Sequence, residues 1–155
     1  MPLPAFCVSR SFPPEPPTTH RFDRHYLLYA THGTMRLEAE GRCWSLPPAR
    51  AAWIAAGAPI TVALARPVEV CSLLFDPTIF AAPAAALTVF EITPLLREVI
   101  QALREHGPDR AELPPDARLL FETAAMLANR ASETPSREVM PSGRSDAVRR
   151  ALAAT

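Results

Sequence analysis

The spacing of apolar residues divides the chain into three stretches. Residues 1–19 are irregular and rich in proline, with one short strand expected at Ala5–Ser9. From about Phe22 to Thr93, short apolar runs alternate with turn signals, the spacing of an all-β barrel or sandwich. Strands are predicted near Arg24–Thr31, Thr34–Ala39, Arg42–Leu46, Ala51–Ile54, Ile60–Leu64, Val68–Phe75 and Leu87–Glu91. Gly33 and Gly41 supply tight turns. Pro47–Pro48 and the Gly57–Ala58–Pro59 run interrupt the strands that follow. In Ile60–Leu64 the larger residues Ile60, Val62 and Leu64 alternate with Thr61 and Ala63, which predicts one buried face.

From Thr93 onward the period is helical. Thr93 suits an N-cap, and Pro94 takes the first helical position, where its missing N–H is harmless. Leu95, Leu96, Val99, Ile100 and Leu103 form an i, i+3/i+4 stripe that Gly107–Pro108 ends. A second helix is predicted from about Asp116 to Ala131, with Leu119, Leu120, Thr123, Ala124, Leu127 and Ala131 on one face. The two are expected to fold back as an antiparallel hairpin. Each stripe can cover the barrel, and any surplus can cover another subunit. Residues 132–143 read as a linker. The closing SDAVRRALAAT is again helical, with Ser145 or Asp146 as cap and Val148, Ala151 and Leu152 on one side. So short a helix is marginal on its own, so it reads as the entrance to a further domain. The expected division is a barrel over 1–91, a helical hairpin over 92–132, and a linker with a first helix over 133–155.

Composition narrows the partners. A length of 155 residues is one ordinary domain. Sixteen basic residues, all Arg, balance sixteen acidic ones, so this chain is not expected to hold nucleic acid by itself. No stretch approaches the roughly 20 apolar residues of a membrane span, and no membrane partner is expected. The N-terminus lacks the charged-then-apolar order of a signal peptide. Cys7, Cys43 and Cys71 are widely spaced and odd in number, which is neither a disulfide framework nor a metal pair. They are expected to be small apolar side chains in a cytoplasmic protein.

Two motifs carry a resemblance. HRFDRHYLLYATHG, from His20 to Gly33, has the spacing of the first cupin signature, G-x5-H-x-H-x3-4-E-x6-G, without its opening Gly. His20 stands on the first His, Phe22 on the second and Tyr26 on the Glu. AAGAPITVAL has the register of the second signature, with Ile60 on its His. More specifically, the stretch from His25 to Val62 resembles the N-terminal effector domain of AraC-type bacterial transcriptional regulators. Its LPPARAAWIAAG run is similar to that family's LPP-x-RA-x-WIPAG, and ITPLLREVIQAL to the start of its helical hairpin. The resemblance implies a mainly β fold, a cupin-like double-stranded β-helix barrel followed by an antiparallel helical hairpin. It implies a small-molecule effector, a homodimer through Leu95, Val99, Leu103, Leu120 and Leu127, and DNA contact only through a helix-turn-helix domain outside this chain.

The residues at the four cupin ligand positions decide the chemistry expected. A divalent metal wants three or four N/O donors. Phe22 and Ile60 have no lone pair to give, a neutral Tyr26 is a poor ligand, and His20 alone does not hold an ion. His25, next to Tyr26 on a strand, and His32, at a turn, are expected at the surface. No metal, no cofactor and no catalytic residues are therefore predicted, and the chain is not expected to be an enzyme. The four positions that a metal would have used, His20, Phe22, Tyr26 and Ile60, are instead expected to line an effector pocket, with Val62 on Ile60's side of its strand and Met35 and Trp44 contributing. Trp53 is expected to be structural. Two readings compete. In one, the chain is a metal-dependent cupin dioxygenase or isomerase, which the missing ligands oppose. In the other, the barrel is filled and serves only to pair subunits.

Overall fold

The computed structural model describes residues 2–138, so the helical period of SDAVRRALAAT lies outside the described residues. Nine strands and two helices follow one another among the described residues: β1 (Ala5–Phe12), β2 (Glu15–Arg21), β3 (His25–His32), β4 (Met35–Ala39), β5 (Arg42–Leu46), β6 (Arg50–Ile54), β7 (Pro59–Leu64), β8 (Val68–Phe75), β9 (Leu87–Glu91), α1 (Pro94–Ala102) and α2 (Pro115–Ala131). They form two antiparallel sheets, one of five strands in the order β1-β8-β3-β6-β9 and one of four in the order β2-β7-β4-β5.

The sheets face each other and the helices cover the far side of the five-stranded sheet. One core lies between the sheets and draws Leu28, Ala52, Ile54 and Val89 from one side and Leu37, Leu46, Ile60 and Leu64 from the other. A second core lies under the helices, where Leu27, Trp53, Leu73 and Phe75 meet Leu96, Ile100, Phe121 and Ala124. The five-stranded sheet is thus a middle layer buried on both faces. That is why β3 is buried at His25 through Ala30 without a break, whereas β7 alternates buried and half-exposed positions. The mainly β, cupin-like barrel with a following helix pair fits this architecture. The helices share one apolar core with the sheet, so no boundary in packing falls at residue 91.

The proline-rich start is ordered strand, not irregular chain. β1 extends to Phe12, and β2 runs through Pro16 and Pro17. β2 is an edge strand with a register shift between Glu15 and Thr18, and both features tolerate residues that cannot donate a ladder hydrogen bond. Gly33 turns β3 into β4 at φ +88°, and a Cβ there would stand 2.8 Å from Val68 Cγ1. Glu40–Gly41, both at positive φ, make the two-residue turn between β4 and β5.

Thr93 caps α1 by accepting the Leu96 amide at 3.2 Å. α1 ends at Ala102, short of the Gly107–Pro108 stop. Its last amides turn to three-residue bonds, and the His106 carbonyl then accepts the Cys7 amide at 2.6 Å. After α2 the chain returns to the sheets. The Ser136 amide donates to the Val89 carbonyl at 2.7 Å, and Glu138 pairs with Arg42 at 2.6 Å, so residues 136 and 138 are tied to the edge strands β9 and β5. Among the described residues no helix is long and apolar enough to cross a membrane.

Candidate functional site

A cavity of about 220 Å³ opens between the sheets. Its floor is Leu28, Met35, Val62, Leu64 and Val70, each less than 10% exposed. They come from β3, β4, β7 and β8, whose alternate residues point between the layers. Its rim is Phe12, Glu15, His20, Phe22 and Tyr26. A larger depression of about 540 Å³ is walled mostly by exposed residues such as Arg36, Ala65 and Arg66, which makes it surface relief.

β2 positions the polar part of the rim. His20 lies opposite Ile60 in the β2–β7 ladder, and its Nε2 meets Glu15 Oε1 at 3.1 Å, both side chains being about one-third exposed. The His20 ring lies parallel to Phe22 with centroids 5.9 Å apart, and Phe22 meets Tyr26 edge-on at 4.6 Å. The Gly57 amide donates to the Phe22 carbonyl at 2.7 Å and so fixes this corner. Burial pushes the Tyr26 phenol up, and the nearby Ser72 hydroxyl and Arg10 charge only partly offset it, so Tyr26 presents a neutral hydroxyl. Ser72 Oγ approaches that phenol yet is buried without a partner in hydrogen-bond geometry.

Of the seven residues expected in a pocket, the structure brings His20, Phe22, Tyr26, Met35 and Val62 to this cavity. It does not bring the other two. Ile60 is wholly buried in the inter-sheet core, and Trp44 lines a separate recess of about 60 Å³ under the Arg42 guanidinium, 5.2 Å from its ring. Sequence reading missed Phe12 and Glu15, which sit in the stretch taken as irregular. Once β2 is seen as a strand, the one hint is that Glu15 and His20 flank two prolines on an edge.

Two other groups of residues stand differently from expectation. His25 does face away from Tyr26, but it is only 4% exposed, because the helix side of the middle sheet is covered. Its Nδ1 accepts the Ala56 amide at 2.9 Å, and its Nε2 is buried without a hydrogen-bond partner. Desolvation lowers its pKa, with the Phe80 carbonyl opposing. His32 is exposed and pairs with Glu69 at 2.8 Å. On the helices, Val99, Leu103 and Leu127 are buried in the chain's own core and Leu120 packs against it; of the five residues expected at a subunit contact only Leu95 is largely exposed. Leu119 and Met126 are exposed on α2 beside it in kind.

The cysteines are all buried and free. Cys7 and Cys71 bring their sulfurs to 3.6 Å under the helices. The hydrogen bond between them and burial push the Cys7 thiol up, while the same bond favours thiolate at Cys71. Among the described residues no three His, Cys, Asp or Glu side chains gather as a metal site would need. What the cavity offers is apolar walls, aromatic rings and one paired carboxylate, the kinds of group that line small-molecule pockets.

Comparison with known proteins agrees with this geometry. No curated protein matches in sequence. The crystal structure of ToxT from Vibrio cholerae with an unsaturated fatty acid bound aligns with a TM-score of 0.55 at 7% identity, over 89% of this chain and 60% of that one. A further ToxT structure from Vibrio cholerae gives 0.53 at 7% identity, over 84% and 57%. The AraC-like transcriptional activator CuxR gives 0.57 at 13% identity, over 85% and 51%. This chain therefore spans less than two thirds of each of those proteins, and the likeness speaks for the fold. The profile of the AraC-like ligand binding domain matches residues 7–138, most of the sequence, and the chain belongs to that family.

Proposed function

We propose that this chain is the sensing and pairing part of an AraC-type transcription regulator. The inter-sheet cavity binds a small effector, the outer faces of α1 and α2 join two copies, and DNA is read by a domain outside this chain. Pairing would matter because two DNA-reading domains held together contact two half-sites. The observation that carries the reading is the cavity itself: apolar at the floor, aromatic and polar at the rim, and framed by the sheets of a ligand-binding family. The fatty acid in one ToxT structure supports the idea that a barrel of this kind holds a small, largely apolar molecule. An effector would act by preferring one arrangement of barrel, helices and following chain over another. The balanced charge supports the assignment of DNA binding elsewhere. In this reading the chain acts by binding, which the mostly apolar and aromatic lining of the cavity supports.

A thermal-shift screen of small metabolites against the wild type and Val62→Trp tests this. The reading expects at least one compound to raise the wild-type melting temperature and to leave the filled variant unmoved. Equal shifts in both proteins, or none in either, would count for a filled barrel that serves only to pair subunits.

A further inference from the structure

The helix side of the middle sheet carries a reactive pair that the cavity does not use. Cys7 on β1 and Cys71 on β8 share the apolar core under the helices. In the β1–β8 ladder Cys7 stands opposite Leu73 and Ser9 opposite Cys71, so the two cysteines are diagonal neighbours on one face. Their sulfurs meet at 3.6 Å, and both are free thiols. The third cysteine, Cys43, sits on β5 in the other sheet. Two thiols already side by side need only a small approach to bond. Their surroundings give them different roles. The hydrogen bond between the sulfurs favours thiolate at Cys71 and thiol at Cys7; burial opposes thiolate at both, and the Arg104 charge favours it at both. Cys71 is thus the nucleophile and Cys7 the thiol that resolves. The pair is buried, but its cover is thin. Ser9 reaches Cys71 from the same face, Arg104 Nε donates to Ser9 Oγ at 3.0 Å, and both covering residues are exposed. Beyond Ala102 the chain above is held by three-residue turns. Cover of this kind opens locally without global unfolding and admits a small molecule while keeping bulky oxidants out.

We propose that Cys7 and Cys71 are an oxidisable pair that a hydroperoxide closes to a reversible disulfide, locking the edge strand β1 onto β8 beneath the end of α1. The Cys71 thiolate attacks one oxygen of hydrogen peroxide. The O–O bond breaks, and the departing hydroxide takes up the proton that Cys71 lost and leaves as water. Cys71 is then a sulfenic acid. The Cys7 sulfur attacks it, the S–O bond breaks, and the hydroxide leaves with the Cys7 proton as a second water. Both sulfurs are oxidised and one peroxide is reduced. The bond ties together positions 64 apart in sequence. It also removes the Cys71 thiol that approaches the Ile100 carbonyl of α1 at 3.9 Å, so oxidation reaches the helix layer.

Peptide mapping of the wild type after hydrogen peroxide, with remaining thiols blocked before digestion, tests the site. A Cys7–Cys71 disulfide is expected, opened again by dithiothreitol, with Cys43 still a thiol. Cys7→Ala should stop at a sulfenic acid on Cys71, which dimedone labels; if that variant does not fold, the wild-type map decides by itself. Hydrogen exchange on the wild type reads the lock: the β1 amides should exchange severalfold more slowly in the oxidised than in the reduced protein. Thiols left intact by millimolar peroxide, a disulfide that involves Cys43, or over-oxidation without a disulfide would overturn the site. A folded Cys7→Ala without label would overturn Cys71 as nucleophile, and equal exchange in the two forms would overturn the lock.

Discussion

The indole N–H of Trp53 donates to Asn129 Oδ1 across 2.7 Å, joining the middle sheet to the last turns of α2. Trp53 is 1% exposed while Asn129 lies at the surface, so the indole N–H is shielded on every side but that of its acceptor. Asn129→Ala should lower the unfolding free energy by about 1–3 kcal/mol, the usual effect of orphaning a buried donor. Asn129→Asp, which keeps the oxygen, should lose less. Urea melts of both variants check this, and equal losses would assign the effect to α2 and not to the bond.

His25 makes stability depend on pH. Its folded pKa is lowered from 6.5, by desolvation first, so the unfolded chain binds the proton more readily than the folded one. The contribution is complete above the unfolded value and is lost as pH falls below about 6.5 toward the folded pKa. Protonation also removes the acceptor for the Ala56 amide. Denaturant melts from pH 7.5 to 5.5 should show stability falling, and His25→Asn, which can still accept that amide, should flatten the slope. An unchanged slope would place the acid sensitivity on another group.

Exposure separates two classes of helix leucine. Leu119 is 63% exposed and Leu103 is wholly buried. If α1 and α2 pair two copies, Leu119→Glu or Met126→Glu should shift sedimentation from dimer toward monomer while leaving the melting temperature of the monomer near that of the wild type. Leu103→Ala should instead destabilise the fold by about 2–5 kcal/mol, as a core truncation does. A wild type that sediments as a monomer at tens of micromolar would contradict the pairing.

The strands of the barrel were legible because each lay between turn residues and because β7 alternates cleanly at Ile60, Val62 and Leu64. The helices were legible from their period and from the Thr93–Pro94 start. β2 was not, because Pro16 and Pro17 argue against a strand unless it is known to be an edge, and edge position is a property of topology. Glu15 was lost with it. His25 was misplaced for a related reason: alternation tells which residues share a face, not whether a helix layer covers that face. Leu103 and Leu127 show the same limit on the helices, where a stripe was visible but its occupant was the chain's own sheet. Ile60 points between the sheets as the motif register suggested, and Trp44 does so too, yet the cavity lies to one side of them, and no spacing rule locates a void.

The central claim is that a small molecule enters between the sheets. Methyl NMR during titration with the compound that raises the wild-type melting temperature most in the metabolite screen tests it most directly. The account predicts that this compound shifts the methyls of Leu28, Met35, Val62, Leu64 and Val70 together, with Leu95 and Leu119 unmoved. Shifts confined to the helix methyls would contradict it.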